Sequence, residues 1–158
     1  MYIELVKYPD VFLRSVSNTV PFPLDDKTSR LIRFMTKAMY QNHGIGLAAI
    51  QVGYQLRMFV MDCSRSGDNS KVFINPEIVE KSDETLRDSE GCLSAPGKTG
   101  DVRRHLRIIL KYQDQYGKEE RKTFYNLEAR CIQHEMDHLE GKLCIDYEKG
   151  DYSRDKHK

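Results

Sequence analysis

The chain contains 158 residues, of which 39% are hydrophobic and 31% are charged, and its formal net charge is +1. This near-neutral balance offers no basic surface for nucleic acid or an anionic membrane, and no apolar run reaches the ~20 residues that a membrane-spanning helix needs. The first residues lack the basic start and apolar core of a signal peptide, so we expect a cytoplasmic protein. The length suits one folded domain, which we place at 1–148, followed by a charged tail at 149–158.

The amino-terminal part of the chain predicts an arm, a loop and one helix. Residues 7–14 combine a proline turn with a short apolar anchor, and Pro21 and Pro23 mark a loop. Acidic residues at 25–26 favour a helix start, and apolar residues then recur at helical spacing to about residue 42. This predicted apolar stripe consists of Leu31, Ile32, Met35, Ala38 and Met39. We expect these side chains in the core and assign them no chemistry.

The segment 44–51, GIGLAAIQ, follows this helix and contains two glycines beside small residues. Glycine lets the backbone take conformations that are closed to other residues, which predicts a tight turn at the edge of a site. A phosphate-binding loop is excluded, because the helix precedes the glycines and no G-K-S/T sequence follows them. Gln51 is the polar side chain of an otherwise apolar stretch, where an oriented hydrogen-bond donor would be placed. The alternative is an amide that only satisfies nearby backbone groups.

Short apolar runs in the middle of the chain predict β-strands. A polar loop at 64–70 separates the first two runs, and the sequence DQYG at 114–117 has the signature of a hairpin turn. The predicted strands are 57–61, 71–75, 78–79, 106–112 and 122–124. With one helix before the strands and one after them, the fold class is α+β. We expect mixed or antiparallel strands packed around a central C-terminal helix that binds metal, together with an N-terminal helix.

Four cysteines occur, and no two of them form a C-x-x-C pair. In a reducing compartment an even count does not imply disulfides. Cys63, Cys131 and Cys144 stand in or beside apolar segments and are predicted to be small core residues. Cys92 differs, because it follows a glycine in the sequence EGCLS and precedes a proline turn at 96–97.

The sequence QHEMDH, near the end of the chain, is the strongest chemical signal. It lies in a predicted helix over 126–140, with Asn126 as the N-cap and Gly141 as the left-handed residue after the last turn. Two histidines four residues apart share one helix face, so His134 and His138 can reach one divalent metal, with a glutamate beside it. The alternative is a pair of core histidines that hydrogen-bond to the two acidic residues between them.

A catalytic metal keeps three protein ligands and an open position, so a third ligand must come from elsewhere in the chain. The Cys92 thiolate is the best candidate. A Cys-His-His set favours zinc or iron over magnesium or calcium. A zinc endopeptidase on the same helix is a second hypothesis, and it needs a further His or Glu after His138. Glu140 and Glu148 are the glutamates available, and Glu140 is too close in sequence to lie on the same face.

Three segments, 44–51, 90–94 and 133–138, together resemble the peptide deformylase family, in the right order and at fitting separations. The start of the chain at 9–14 is similar to that family as well. The resemblance implies removal of the formyl group from the N-terminal formyl-methionine of nascent polypeptides, with release of formate. It implies one divalent metal per chain, Fe²⁺, for which Zn²⁺, Ni²⁺ or Co²⁺ can substitute. The partners are then N-formyl-methionyl peptides; ribosome contact is left open, and neither a specific nucleic acid nor a membrane is expected.

The resemblance also implies a role for individual residues. The metal ligands would be Cys92, His134 and His138. Glu135 would take a proton from water and pass it to the leaving amine. The Gln51 amide and the backbone N–H of Leu93 would stabilise the negative charge that develops on the formyl oxygen. The substrate-binding residues would be Ile45, Gly46, Leu127 and Cys131 around the methionine side chain and Glu90 beside the peptide backbone.

One departure from the family concerns peptide binding. Thr99 stands where many members carry an arginine that helps to hold the substrate backbone, with Lys98, Arg103 and Arg104 nearby. The preferred peptide length is therefore left open. A third hypothesis is a member that binds nascent chains or metal without catalysis, which would be expected to lack the glutamate, the glutamine or a ligand; none of these is missing.

Overall fold

The computed structural model describes residues 4–147, so the predicted tail at 149–158 lies outside the described residues. The helices are α1 (Asp26–Gln41) and α2 (Asn126–Leu139). The strands are β1 (Gly46–Ala48), β2 (Met58–Met61), β3 (Lys71–Lys81), β4 (Thr85–Gly91), β5 (Thr99–His105), β6 (Arg107–Gln113) and β7 (Glu119–Tyr125). Short 3-10 segments occur at Val11–Arg14, Ala49–Val52 and Cys144–Tyr147. Neither described helix is long and apolar enough to cross a membrane.

The strands form two antiparallel sheets around α2. One sheet has five strands in the order β1-β2-β3-β6-β7, and β4 pairs with β5 in a second sheet. Helix α2 contacts β1, β2, β6 and β7 of the first sheet and β5 of the second. Both sheets therefore hold the helix that carries the two histidines, which confirms the predicted α+β class.

An aromatic cluster on the larger sheet forms the centre of the core beside α2. The Phe73 ring lies 5.0 Å from Phe59, 4.7 Å from Tyr112 and 5.8 Å from Phe124, measured between centroids. Helix α2 contributes to the same buried cluster Ala129, Cys131, Ile132 and Leu139. Burial of this apolar surface holds α2 on the sheet, and each Å² removed from water stabilises the fold by about 25 cal/mol.

Helix α1 has the predicted limits and the predicted buried stripe. The Asp25 side chain caps its start by accepting a hydrogen bond from Thr28 N (2.7 Å), and all five residues of the stripe are buried. At its end the Asn42 amide donates to Ala38 O (2.8 Å), and His43 adopts the left-handed conformation with φ 58°. The left-handed residue turns the chain into β1, which leads to the candidate site.

The strand predictions were wrong at Pro76, where two short runs were expected. The structure has one strand, β3, that continues through the proline with register shifts on the β6 side. Proline cannot donate a ladder hydrogen bond, and a bulge tolerates it. Asn75, at φ 51°, supplies the local distortion. The apolar run on either side of Pro76 therefore belongs to one element.

The strands β4 and β5 were not predicted at all. Their inward-facing positions include Glu90 on β4 and Arg104 on β5, both buried and paired to each other. Because an ion pair replaces apolar side chains on the inner face, the alternation of apolar and polar residues that marks a strand is missing. The two strands that carry the residues around Cys92 were therefore invisible to a hydrophobicity pattern.

The start of α2 also differs from the prediction. Asn126 does not cap the helix: Tyr125 is the N-cap, without a side-chain cap hydrogen bond, and Asn126 is left-handed at φ 53°. The helix directly follows β7, whose ladder includes the pair Tyr125 and Arg107, so the sheet fixes its first turn. Gly141 has the predicted left-handed conformation, with φ 74°.

Gly100 on β5 gives a test of how the 3-10 segment Cys144–Tyr147 is held. A Cβ at Gly100 would lie 1.9 Å from Cys144 O and 2.5 Å from its carbonyl carbon. Because backbone atoms cannot move aside cheaply, we expect G100A to lower the free energy of unfolding by about 3 kcal/mol. G91A, on the paired strand, is the control, because a Cβ at Gly91 meets nothing within 4 Å. Urea unfolding measures both, and equal stability of the two variants would contradict the prediction.

Candidate metal centre

Helix α2 and the turn after β4 bring the three predicted ligands together. His134 and His138 are one helical turn apart, with ring centroids 5.0 Å from each other. Cys92 directly follows β4, and a hydrogen bond from Ala95 N to Cys92 O (3.0 Å) closes the turn. The Cys92 Sγ atom is 3.4 Å from His138 Nε2, and one ligand atom of each residue lies within 4.8 Å of the others. The ligand atoms of the three side chains are therefore close enough together to bind one ion.

The donor set fits a divalent transition metal. Metal–sulfur bonds of about 2.3 Å and metal–nitrogen bonds of about 2.1 Å in tetrahedral geometry separate the ligand atoms by about 3.6 Å. The observed 3.4 Å between Cys92 Sγ and His138 Nε2 is close to this distance. One soft sulfur and two imidazole nitrogens suit iron or zinc better than magnesium or calcium.

The two histidines have opposite pKa shifts. Burial lowers the pKa of His138 well below its usual value, and the charges of His134 and Arg104 add to this effect, so His138 is neutral. Burial alone would lower the pKa of His134 as well, but hydrogen bonds with Cys92 and Glu90 raise it to about 10. Only a neutral imidazole ligates, so a cation entering the site must displace the His134 proton.

A buried carboxylate orients His134. Glu90 Oε1 is 2.9 Å from His134 Nδ1, which leaves Nε2 to face the other two ligands. Arg104 donates to both oxygens of Glu90 at 2.9 Å, and Arg130 donates to Oε2 at 2.5 Å. Burial would raise the pKa of Glu90, but the hydrogen bonds from His134 and Arg104 outweigh it and lower the pKa to about 2. A fixed anion behind a ligating histidine sets its tautomer and orientation.

The Glu135 carboxyl group lies in the cavity wall with one oxygen uncommitted. The residue is 3% exposed, and its Oε1 atom has no hydrogen-bond partner among the described residues. Burial raises the pKa of Glu135 to about 7, against the opposing charge of His134. A buried carboxyl group that titrates near neutrality and lacks a structural partner has the properties of a general base.

Gln51 is held in a fixed orientation beside Cys92. Its Oε1 accepts from Ala48 N (2.9 Å), and its Nε2 donates to Ser94 Oγ (3.1 Å) and lies 3.6 Å from Cys92 Sγ. The amide is thus anchored by its oxygen and directs its N–H groups to the turn that carries the cysteine. The alternative was an amide that only satisfies nearby backbone groups. It explains the hydrogen bond of the amide oxygen to Ala48 N, but not the contacts of the amide nitrogen with two side chains.

A cavity of about 640 Å³ opens beside these groups. Its wall includes every residue predicted to bind substrate, together with five of the six other predicted site residues. The first set is Ile45, Gly46, Glu90, Leu127 and Cys131, and the second contains Gln51, Cys92, Leu93, His134 and Glu135. The sixth, His138, lies behind the wall and is fully buried.

Gly44 and Gly46 let neighbouring side chains approach the backbone closely. The prediction that they adopt unusual backbone angles was wrong. Neither Gly44 nor Gly46 is left-handed; the left-handed residue at this turn is His43. A Cβ at Gly46 would lie 2.6 Å from Glu135 Oε2 and 2.8 Å from Cys131 Sγ, and one at Gly44 would lie 2.8 Å from Leu93 Cδ1. Any larger residue at position 46 would therefore displace the Glu135 carboxyl group.

A second group of possible ligands, Glu90, His134 and Cys144, overlaps the first. It fits a metal poorly. Both oxygens of Glu90 accept hydrogen bonds from arginines, and burial raises the pKa of Cys144 to about 12, so the sulfur stays protonated. A thiol is not a metal ligand until it loses its proton.

The contacts argue against two alternatives from the sequence. In the core-histidine alternative the rings bind Glu135 and Asp137, but His134 binds Glu90 and His138 faces Cys92. In the endopeptidase alternative a glutamate after His138 completes the site, but Glu140 pairs with Arg57 at 2.5 Å. The other glutamate, Glu148, lies outside the described residues.

A sequence profile of the polypeptide deformylase family matches residues 2–153, almost the whole chain. The chain belongs to this family. A peptide deformylase of Bartonella henselae is 44% identical over 145 residues, which cover 90% of this chain and 82% of that protein. The crystal structure of peptide deformylase from Thermotoga maritima has a TM-score of 0.88 at 37% identity and covers 94% of this chain and 99% of that one. The peptide deformylase of Plasmodium falciparum has a TM-score of 0.87 at 39% identity, with coverages of 98% and 91%.

Polypeptide deformylases are metal-dependent hydrolases that act on N-formyl-methionyl peptides, and membership in the family places this chain among them. The resemblance inferred from the three short segments is confirmed. Of the residues predicted from the deformylase motifs, Cys92, His134, Glu135 and Gln51 line one cavity, and His138 lies behind its wall.

The sequence did not identify the arginines that hold Glu90. Arg104 was considered as a residue near the substrate, but it is 5% exposed and binds Glu90 and Asp137. Arg130, on α2, was not considered. A buried arginine requires a buried carboxylate, but no signal in the sequence indicated this pair, because the inward position of Arg104 is known only once β5 is placed. Lys98 and Thr99, by contrast, line the cavity.

Proposed function

We propose that the chain removes the formyl group from the N-terminal formyl-methionine of nascent polypeptides and releases formate and a free amine. The observation that supports this most directly is the convergence of Cys92, His134 and His138 beside a cavity that is also lined by Glu135, whose buried Oε1 has no hydrogen-bond partner among the described residues. The combination provides three ligands, a base and room for a substrate. No observation favours a second function.

Glu135 acts as the general base and acid in this proposal. Cys92, His134 and His138 would hold a divalent cation, which would supply Lewis acidity and make the attacking water easier to deprotonate near neutral pH. The Glu135 carboxylate, which lines the cavity, accepts the water proton, and burial keeps its proton affinity high enough to hold that proton and then donate it to the leaving amine. The shift in its pKa is thus suited to both steps.

Gln51 and Leu93 stabilise the negative charge on the formyl oxygen. Gln51 Nε2, 3.6 Å from Cys92 Sγ, is within reach of an oxygen bound beside that sulfur. The backbone N–H of Leu93 follows directly in the same turn. Two fixed donors in a site shielded from water lower the barrier, and loss of one typically costs about 10²- to 10³-fold in rate.

The methionine side chain occupies the apolar part of the cavity, between Ile45, Gly46, Leu127 and Cys131. The Glu90 side chain is not free to bind the peptide, because both of its oxygens are hydrogen-bonded to arginines and His134. We therefore assign its side chain to orienting His134 and leave contact with the peptide to its backbone. Lys98 and Thr99 at the cavity wall are the residues available for the following part of the peptide.

For the metal we propose Fe²⁺, with Zn²⁺, Ni²⁺ and Co²⁺ as substitutes. The sulfur and two imidazoles suit this group of ions. The test of the function is release of formate from a formyl-Met peptide by protein loaded anaerobically with Fe²⁺. An acetyl-Met peptide and an internal peptide bond are the comparison substrates. Cleavage of the internal bond without formate release would overturn the proposal. Ribosome contact stays a prediction.

The pH dependence of the reaction follows from Glu135. The base must be ionised, and burial raises its pKa to about 7. A neighbouring cation favours the ionised form and lowers this pKa. We therefore expect kcat/KM to rise with pH along an acid limb whose midpoint is at or below pH 7. Metal content is measured across the same range to separate metal loss from titration, and a midpoint above pH 8 at constant metal content contradicts the assignment.

A further inference from the structure

Lys98 is an exposed cation on the wall of the catalytic cavity. Two consecutive turns connect it to the metal centre: Ala95 N donates to Cys92 O at 3.0 Å, and Lys98 N donates to Ala95 O at 3.1 Å. The residues from Cys92 to Lys98 therefore form one short segment, with a proposed metal ligand at one end and an ammonium group at the other.

The ring of Tyr8 holds the Lys98 side chain in place. Lys98 Nζ lies 5.6 Å from the centroid of this ring, which is within the range of a cation–π contact. The backbone of Tyr8 is fixed to the same segment, because Tyr8 N donates to Ser94 O at 2.7 Å. Both Tyr8 and Lys98 are exposed, so the contact leaves the ammonium group accessible to a ligand.

The other charged side chains of the cavity wall are already committed. Glu90 and Arg130 bind each other, and Arg130 also donates to two backbone carbonyls. His134 and Glu135 are assigned to the metal and to proton transfer. Lys98, by contrast, has no carboxylate partner among residues 4–147. Its positive charge is therefore available to a bound peptide.

We propose that Lys98 makes the chain prefer peptides with an aspartate or glutamate in one of the two positions after methionine. The inference rests on the proposed function, in which the methionine side chain fills the apolar part of this cavity and the next residues pass its wall. A nascent chain presents no terminal carboxylate there, so the anion that reaches Lys98 is a side chain. The pair forms at an exposed rim, which limits its effect to about fivefold in kcat/KM.

The test measures kcat/KM for formate release by the chain loaded anaerobically with Fe²⁺. The substrates are formyl-Met tripeptide amides in pairs that differ only by aspartate or asparagine, in the second position or in the third. We expect a ratio of about five in favour of aspartate in at least one pair. The ratio should fall toward one in about 0.5 M salt, because salt screens exposed charges. The free acid of the asparagine peptide tests whether a terminal carboxylate is read instead.

Variants of Lys98 assign the preference to this residue. K98M keeps an unbranched side chain of similar length without its charge, so its ratio should be about one. K98E should reverse the preference, so that a lysine peptide is cleaved faster than the aspartate peptide. K142M removes an exposed lysine outside the cavity and must keep the ratio. H43N must keep it as well; His43 is an exposed residue of the same wall, and asparagine tolerates its left-handed conformation.

Failure of this inference differs from failure of the proposed function. Equal kcat/KM for the aspartate and asparagine amides, equal ratios in K98M and the unmodified chain, or a preference only for the free acid overturns the role of Lys98 and leaves the deformylase activity standing. If no peptide releases formate, the proposed function fails. The dissociation constants of the unformylated Met-Asp and Met-Asn peptides, carrying a neutral dye and measured by fluorescence anisotropy, then decide whether Lys98 selects the acidic side chain.

Discussion

Replacement of Glu135 by glutamine is expected to lower kcat for formyl-Met peptides by about 10²- to 10⁴-fold while metal content stays the same. Glutamine has the shape of glutamate but cannot accept the water proton. Because Glu135 Oε1 has no hydrogen-bond partner among the described residues, the change breaks no observed contact of that atom. It also removes a carboxyl group whose pKa burial raises to about 7, so stability should not fall. Single-turnover formate release and metal analysis of the same sample provide the measurement.

A second glutamate on α2 gives the control for this experiment. Glu128 lies two turns earlier, outside the catalytic cavity, and lines a surface depression beside Cys63. E128Q removes the same charge from the same helix without touching the proposed base, so its kcat should equal that of the unmodified chain. If E135Q retained more than a tenth of the activity, Glu135 would lose its role. If E135Q lost metal as well, its effect would be on the site and not on proton transfer.

Predictions from the sequence were correct where the spacing of a few residues is compatible with only one local structure. Two histidines four residues apart on a helix must share a face, so the relation of His134 to His138 followed directly from the prediction of α2. The stripe of α1 succeeded for the same reason. Asn126 and Pro76 show the limit: local propensity predicted a cap and a strand break, and the sheet overrode both.

The buried residues that support the site could not be predicted from the pattern of hydrophobic residues. Glu90 and Arg104 occupy inward positions of β4 and β5, where a search for strands expects apolar residues. Their pairing is a long-range contact that becomes visible only when both strands are placed. Cys92 was found by its chemistry and its neighbours in sequence, but its 3.4 Å approach to His138 is a contact between residues 46 positions apart in the sequence.

Replacement of Cys92 by alanine is expected to abolish stable metal binding and with it the activity. Two imidazoles remain, and a site with two protein ligands on one helix lacks the third ligand that catalytic metal sites have. Without the sulfur, two nitrogens on one helix must hold the cation alone. Equilibrium dialysis against Zn²⁺ and anaerobic Fe²⁺ measures the loss.

C63A is the matched control, because it removes a half-buried sulfur that is not among the three proposed ligands. It should bind one metal per chain, as the unmodified protein does, whereas C92A should bind much less than one. Thermal unfolding with and without metal adds a second readout: a ligand that binds only the folded state raises the melting temperature. The metal-dependent rise should therefore persist in C63A and vanish in C92A. Full metal occupancy in C92A would mean that the third ligand lies elsewhere. The turn after β4 would then lose its proposed role in holding the metal.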